Sequence, residues 1–404
     1  MHVLIVSQYF WPENFRINDL AIGLLERGHQ VTVLTGVPNY PEGSFFAGYG
    51  YFSKQQNYHG VKVLRVPLIP RGKGGGLRLA LNYISFAISS TVAAPFVCKE
   101  KYDLIFVFQL SPITSALPAL LLKKIKKIPI LFLIQDLWPE SLLATGAVKS
   151  KLLLSLVARL VSFIYQRCDK ILIQAKSFAC SVQQYGGATV FTDYFPNSAE
   201  GLFCATSSAM PAIPHLPDGF KVIFTGNIGA AQDFETIISA VEKLKGYKEI
   251  HWIIVGDGRR REWAEAEAKK RGLTAHIHFM GRFPLDTMPV FFSQADALLV
   301  TLKKEPIFAM TIPSKIQSYL AFGKPIIAAL DGEGAKIIEE ARAGFIAPSG
   351  KPDKLADAVL KLYKIPKLDR EKMGVNGKAY YEANFDREML LDRLEGWMEE
   401  LTYD

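Results

Sequence analysis

The sequence is poor in cysteine. Cys98, Cys168, Cys180 and Cys204 are scattered over 404 residues, and no two have the spacing of a metal knuckle or a redox pair. A disulfide scaffold is therefore excluded, and reduced thiols are expected. The histidines His2, His29, His59, His215, His251, His276 and His278 form no ligand-spaced cluster either, so no catalytic metal or other cofactor is expected. No G-x-G-x-x-G follows the first apolar run, which argues against a dinucleotide dehydrogenase. Helix-turn-helix, zinc-knuckle and aromatic RNA-binding signatures are missing, so nucleic acid is not an expected partner. The opening Met1–Val6 has no basic leader or cleavage site and reads as a buried strand.

What is present is an α/β alternation long enough for two domains. Apolar, β-branched runs mark strands at Val3–Ser7, Gln30–Thr35, Val61–Pro67, Leu104–Phe108, Ile130–Ile134 and Lys170–Gln174. A second set follows at Lys221–Thr225, His251–Val255, Ile277–Met280, Ala297–Thr301, Pro325–Ala329 and Gly344–Ile346. Amphipathic stretches separate them, as in a parallel sheet covered by helices. The first, Arg16–Arg27, spaces Ile17, Leu20, Ala21, Leu24 and Leu25 for one helix face and stops at Gly28. Ala205–Asp218 is rich in Pro, Ser and Ala and reads as a linker. The expected division is residues 1–204, residues 205–380, and a C-terminal helix at 381–404 that returns to the first domain.

Charge is unevenly spread. Residues 1–200 hold 20 Lys/Arg against 11 Asp/Glu, a balance of +9, while residues 201–404 hold 27 against 28. With nucleic acid set aside, such a basic half points to an anionic membrane surface. Leu77–Val97 is long enough to span ~30 Å of hydrocarbon but carries Arg78, Asn82, several hydroxyls and Pro95. It reads as a spanning helix, an interfacial helix or a plain domain helix. Lys149–Arg167 mixes basic residues with a broad apolar face, fitting either an interfacial or a core-packing helix. The cluster Lys123, Lys124, Lys126 and Lys127 adds to this charge.

Five segments at strand ends or helix starts are candidates to contact a nucleotide. The first, after strand one, contains Asn14, Phe15 and Arg16 at the start of a helix, where free N–H groups favour an anion. The second is Thr225-Gly226-Asn227-Ile228-Gly229 and the third Val255-Gly256-Asp257-Gly258, whose glycines permit close backbone approach. The fourth, Gly281-Arg282-Phe283-Pro284, offers Arg282 and backbone groups to a base edge. The fifth and most specific is Thr311-Ile312-Pro313-Ser314-Lys315-Ile316-Gln317-Ser318, a loop opening a helix with a cation beside its first N–H groups. That combination suits a nucleoside diphosphate without a metal.

The order and spacing of these motifs resemble glycosyltransferase family 4. The phrases TGNIG, VGDG, FMGRFP, IPSKIQSYLAFGKPI and PNYPEG resemble its WbuB-type branch, transferases of N-acetyl-L-fucosamine or related sugars in surface-polysaccharide assembly. The resemblance implies two Rossmann-like domains facing across a cleft, the GT-B fold. It implies a UDP-sugar donor held mainly by the second domain, a lipid-linked (polyprenyl diphosphate) saccharide acceptor on the first, and retention of configuration without a metal. The place of work is then the cytoplasmic, inner face of the cell membrane, held peripherally.

The departures from the family pattern matter. The Glu-x7-Glu pair of many members falls on Met310 and Ser318, so the ribose-binding carboxylate is missing and Gln317 or Ser318 is the candidate substitute. The basic pair after the second domain's first strand falls on Asn227 and about Gln232, leaving Lys315 to supply that charge. Asp136, in Gln135-Asp136, is the acid nearest the family's His-Asp, and Glu305 is a second candidate sugar contact. Two rivals stand beside the transferase: a UDP-sugar 2-epimerase of similar architecture, and a non-catalytic nucleotide-sugar-binding partner of a polysaccharide assembly complex.

Overall fold

A computed structural model describes residues 1–51, 55–72, 75–187, 190–204 and 211–403; the first part of the expected linker, 205–210, lies outside the described residues. The chain forms two compact units, Met1–Pro196 with Glu388–Asp404, and Asn197–Arg387. The sequence reading set these junctions at 204/205 and 380/381.

In the first unit the apolar runs become β1 (His2–Val6), β2 (Gln30–Gly36), β4 (Val61–Val66), β5 (Leu104–Gln109), β6 (Ile130–Ile134) and β7 (Lys170–Ile173). Two three-residue strands without apolar alternation, β3 (Gln56–Tyr58) and β8 (Thr192–Tyr194), complete the sheet in the order β3-β4-β2-β1-β5-β6-β7-β8. All neighbours are parallel except β3 and β4. Strand order reverses at β1, which pairs Val3 with both Val31 and Leu104. The ends of β1 and β5 thus flank a switch point, where open α/β sheets place ligands.

The helices of this unit are α1 (Arg16–Glu26), α2 (Gly76–Val97), α3 (Leu117–Lys126), the single turn α4 (Glu140–Ala144), α5 (Lys151–Tyr165) and α6 (Phe178–Gly186). Gly28, at φ +85°, ends α1 in the left-handed region that a β-carbon would disfavour. Right-handed crossovers put α1 on one sheet face and α2, α3, α5 and α6 on the other. On the α1 side, Ile17, Ala21 and Leu24 join Val3, Ile5, Val31 and Val33 in one core. The chain end packs there too: Leu390, Leu391, Leu394 and Met398 of α15 (Arg387–Tyr403) complete this core.

α2 is long and apolar enough by length and composition to cross a membrane. It is nevertheless fitted to the sheet, burying Asn82, Phe86, Ala87, Ser90 and Ala94. Asn82 donates to Ile69 O at 2.7 Å, the Ser85 hydroxyl accepts from Ile69 N at 2.8 Å, and Ser89 donates to Pro67 O at 2.5 Å. These bonds explain why polar residues interrupt an otherwise apolar run.

The second unit has six parallel strands: β9 (Phe220–Thr225), β10 (Ile250–Val255), β11 (Ile277–Gly281), β12 (Ala297–Thr301), β13 (Ile326–Ala329) and β14 (Gly344–Ala347). Their order, β11-β10-β9-β12-β13-β14, places the switch point between β9 and β12. Its helices include α7 (Phe234–Lys243), α8 (Arg261–Lys270), α9 (Met288–Ser293), α10 (Pro306–Met310) and α11 (Ser314–Phe322). They continue with α12 (Glu333–Glu340), α13 (Pro352–Lys364) and α14 (Lys367–Asn384). Phe224, Trp252 and Ile254 from the strands meet Ile237 and Val241 of α7 and Leu355, Val359 and Leu362 of α13 in its core.

Candidate active site

In the second unit, three glycine turns leave adjacent strand ends and are laced together by backbone bonds. Gly226 N donates to Val255 O at 2.8 Å, Ile228 N to Asp257 O at 2.8 Å, and Gly256 N to Gly281 O at 2.7 Å. The turns after β9, β10 and β11, far apart in sequence, thus form one continuous rim. Gly226, at φ +119°, and Asn227 are exposed on it, as is Asp257, whose Oδ1 accepts from Gly258 N at 2.7 Å. Ile228 is wholly buried and offers only backbone. Two of the arginines beyond it are structural: Arg260 pairs with Glu235 and lies over Trp263, and Arg261 pairs with Glu265 at 2.7 Å.

α11 begins beside this rim. Pro313 at its N-cap gives no side-chain cap, so Ser314 and Lys315 carry first-turn N–H groups with no intrahelical acceptor. One turn later, Tyr319 is buried with its hydroxyl 3.1 Å from Thr225 Oγ1, which pins the helix to the end of β9. That docking lays Lys315 along Gly226: a β-carbon there would meet Lys315 Cε at 2.8 Å. Lys315 Nζ sits 3.6 Å from the centre of the Phe224 ring. It has no carboxylate partner among the described residues, and burial pushes its ammonium down to about 7. An unpaired amine beside free helix N–H groups is a site built for an anion.

The other expected contacts of this unit divide. Gln317 is fully buried, and its amide nitrogen donates to Pro313 O and Ser314 O, both at 3.2 Å. Its role is therefore corrected from donor contact to a brace of the helix start. Ile312 is buried too. Ser318 is nearly buried and its hydroxyl lies 3.1 Å from Glu200 Oε2 and 3.3 Å from Ser314 O. Glu200 was not found by sequence reasoning. It brings a carboxylate to the place where the family pattern expects one and this chain has Ser318. Thr311 spends its hydroxyl on Ile307 O at 2.8 Å, and Met310 ends α10. Glu305 is exposed at the N-cap of α10 in the loop after β12, on the other side of the switch point. Arg282 is exposed after β11, and Phe283 packs edge-on against Phe291 at 5.0 Å. Gly229 N donates to Gln232 Oε1 at 3.1 Å.

In the first unit the loop after β1 is held from within. Glu13 is buried, and its Oε1 accepts from Asn39 N at 2.8 Å and Tyr40 N at 2.7 Å. Burial raises its carboxyl to about 7 against the pull of those N–H groups. Asn39 Oδ1 accepts from Arg71 N at 3.0 Å and Asn82 Nδ2 at 3.3 Å, and Gln8 Nε2 donates to Asn82 Oδ1 at 2.8 Å. This network joins the ends of β1, β2 and β4 to α2 and accounts for the PNYPEG phrase. Around it, Phe15 stacks on Tyr9 at 5.1 Å and tilts against Tyr40 at 5.2 Å. Asn14 is exposed and Arg16 opens α1, half-buried. Asp136, just beyond β6, accepts from Ser111 Oγ at 2.6 Å, Trp138 Nε1 at 3.1 Å and the Ser141 hydroxyl. Burial raises its carboxyl and these three donors oppose the rise. Both oxygens are engaged, so Asp136 is a fixed carboxylate at the strand ends. No cluster of three or more His, Cys, Asp or Glu able to hold a metal occurs among the described residues.

Comparison with known families and proteins accords with this geometry. Residues 208–380 match the family described as Glycosyl transferases group 1, and residues 14–198 match the Glycosyl transferase 4-like domain. Together these matches take in most of the chain, which belongs to the glycosyltransferases of the two-domain GT-B fold. It is 28% identical over 272 residues to a protein of Pseudomonas aeruginosa named as a glycosyltransferase, WbjE, covering 65% of this chain and 66% of that one. It thus spans just under two thirds of that relative's length. It is 26% identical over 337 residues to WcaI of Escherichia coli (strain K12), named for a colanic acid biosynthesis glycosyl transferase, covering 80% of this chain and 82% of that one. Among solved structures, Anabaena Alr3699/HepE in complex with UDP aligns with a TM-score of 0.69 at 15% identity, covering 99% of this chain and 100% of that one.

Proposed function

We propose that this glycosyltransferase moves an N-acetylated amino sugar, such as N-acetyl-L-fucosamine, from a UDP-sugar to a polyprenyl diphosphate-linked saccharide in surface-polysaccharide (O-antigen or capsule) assembly. It works with retention of configuration, without a metal, and peripherally at the cytoplasmic face of the membrane. One observation carries the reading: Lys315 lies unpaired against Gly226 at the start of α11, beside the β9/β12 switch point. Phosphate oxygens placed there would meet the Ser314 and Lys315 N–H groups and a Lys315 ammonium recharged by the anion. That stabilises the departing UDP, whose own phosphate oxygen takes the acceptor proton, so a protein base is not required. The first unit, with its fixed Asp136 and aromatic β1 loop, receives the acceptor. The similarity to WbjE and WcaI and the UDP held by HepE support a nucleotide-sugar donor and polysaccharide assembly.

The test is product analysis with UDP-N-acetyl-L-fucosamine, further UDP-sugars and a lipid-linked saccharide. The expected product keeps the donor's anomeric configuration by NMR. An inverted product would refute the retaining step, and donor turnover with no transfer to any lipid-linked acceptor would refute the acceptor class.

A further inference from the structure

The two faces of the first unit's sheet differ in chemistry. α2, α3, α5 and α6 cover one face and contain no Asp or Glu, while carrying Arg78, Lys123, Lys124, Lys126, Lys151 and Arg159. On the opposite face α15 alone sets five carboxylates against two arginines. The acids in loops near the basic face are already engaged: Glu100 with Lys62 and Asp169 with Lys123, each at 2.6 Å. Lys124, Lys151 and Arg159 are exposed and make no ion pair among the described residues.

The same face is apolar where a sheet-covering helix is normally polar. α2 turns Leu77, Leu81, Ile84, Ile88, Val92 and Phe96 outward, from 38% exposed at Leu81 to 79% at Leu77. Their helical spacing makes one stripe about 28 Å long at 1.5 Å per residue. α5 adds Leu152, Leu153 and Leu156, each at least half exposed. A contiguous apolar patch of this kind marks an interaction surface. The charge decides the occupant. A second copy would bring basic face against basic face, whereas anionic lipid offers both an apolar layer and the opposite charge.

We propose that the α2–α3–α5 face docks on an anionic lipid bilayer. α2 lies along the interface, its stripe at the acyl boundary and Lys124, Lys151 and Arg159 among the headgroups. The docking rests on the proposed function for its peripheral membrane attachment, to which it gives a surface, and for its purpose, access to a lipid-linked acceptor. Flotation of the full chain with vesicles lacking donor and acceptor therefore fails or succeeds apart from the transferase reading, which is assayed on a water-soluble acceptor analogue.

The vesicles are phosphatidylcholine with and without phosphatidylglycerol. The wild-type chain should float with the anionic vesicles at low salt and be released by molar salt. Ile84→Glu with Ile88→Glu should weaken binding at least about tenfold, because two apolar side chains lose their place in the interface. Lys124→Gln and Arg159→Gln should each weaken it about fivefold at low salt, as expected for one basic residue near an anionic surface. Val375→Glu, an exposed apolar position of the second unit, should change nothing. All the substituted side chains point outward, and unchanged melting temperatures confirm folding. Failure to float overturns the proposal, as does flotation unaffected by the paired glutamates. A self-associated form broken by the same glutamates, without vesicle binding, would assign the face to a second copy and equally overturn it.

Discussion

The strand ends of the two units treat charge in opposite ways. In the first, donors hold one oxygen of Glu13 and both oxygens of Asp136, and the loop around Glu13 is tied into one network. In the second, Lys315 has a ring beneath it, free helix N–H groups beside it and no counter-charge among the described residues. A fixed carboxylate keeps a binding surface in shape. An ammonium without its anion is a debt held until a ligand arrives, because burial without a partner disfavours the charged form. The contrast accounts for the division of labour proposed here: structure and acceptor in the first unit, phosphate in the second.

The largest effect should come from removing the unpaired charge. Lys315→Met should weaken UDP binding by roughly 1.5–3 kcal/mol, the range for a charge-assisted contact. It should also raise the melting temperature by a degree or more at pH 7, since an apolar side chain suits the Phe224 platform better than a buried amine. Calorimetry and a thermal scan check both, and a variant that binds UDP as the wild type does would break the contrast between the units.

Glu13→Ala should act the other way, leaving UDP affinity alone while destabilising the first unit by about 1–3 kcal/mol, because the Asn39 and Tyr40 N–H groups lose their acceptor. The pH sign follows from the raised carboxyl. The folded state holds its proton up to about 7 and the unfolded chain only to about 4.5. The stability this contributes is present below about 4.5 and is lost as pH rises through about 7. Glu13→Gln should flatten that slope in denaturant titrations at several pH values; an unchanged slope would remove Glu13 as its source.

A smaller change is expected at Glu200. Glu200→Gln should lower affinity for the intact donor by about 1 kcal/mol, by replacing a carboxyl acceptor for sugar hydroxyls with an amide. Equal donor affinity in the variant would confine Glu200 to bracing Ser318. Smallest of all is the effect of chelation: transfer should persist unchanged in excess EDTA, because α11 and Lys315 act where a cation otherwise would. Loss restored by Mg²⁺ or Mn²⁺ would remove the metal-free part of the account.

Much of this division was legible in the sequence, though unevenly. The six long strands of each sheet follow from their apolar runs, whereas Gln56–Tyr58 and Thr192–Tyr194 are too short and polar to show a period. The glycine turns were visible one by one, but their fusion into one rim depends on strand order. Lys315 could be placed at a helix start from its motif; its lowered basicity could not, since that depends on docking against Phe224 and Gly226. Glu200 lies 118 residues from Ser318, and no local pattern marks it. For Glu13 the only signal was an acid among Tyr9, Phe10, Trp11 and Pro12, an apolar setting in which a solvated carboxylate is out of place.

The most direct test of the central claim is the proton taken up when UDP binds. If Lys315 is largely neutral in the free protein above its value of about 7 and is recharged by the diphosphate, binding at pH 8 must draw a proton from the buffer. Calorimetric titrations of UDP in buffers of different ionisation enthalpy should then show net uptake approaching one proton. Affinity should fall as pH rises from about 7 toward 10, and Lys315→Met should lose both effects. Wild-type binding with no proton uptake at pH 8, and with the same affinity as the Lys315→Met variant, would contradict a phosphate seat at Lys315.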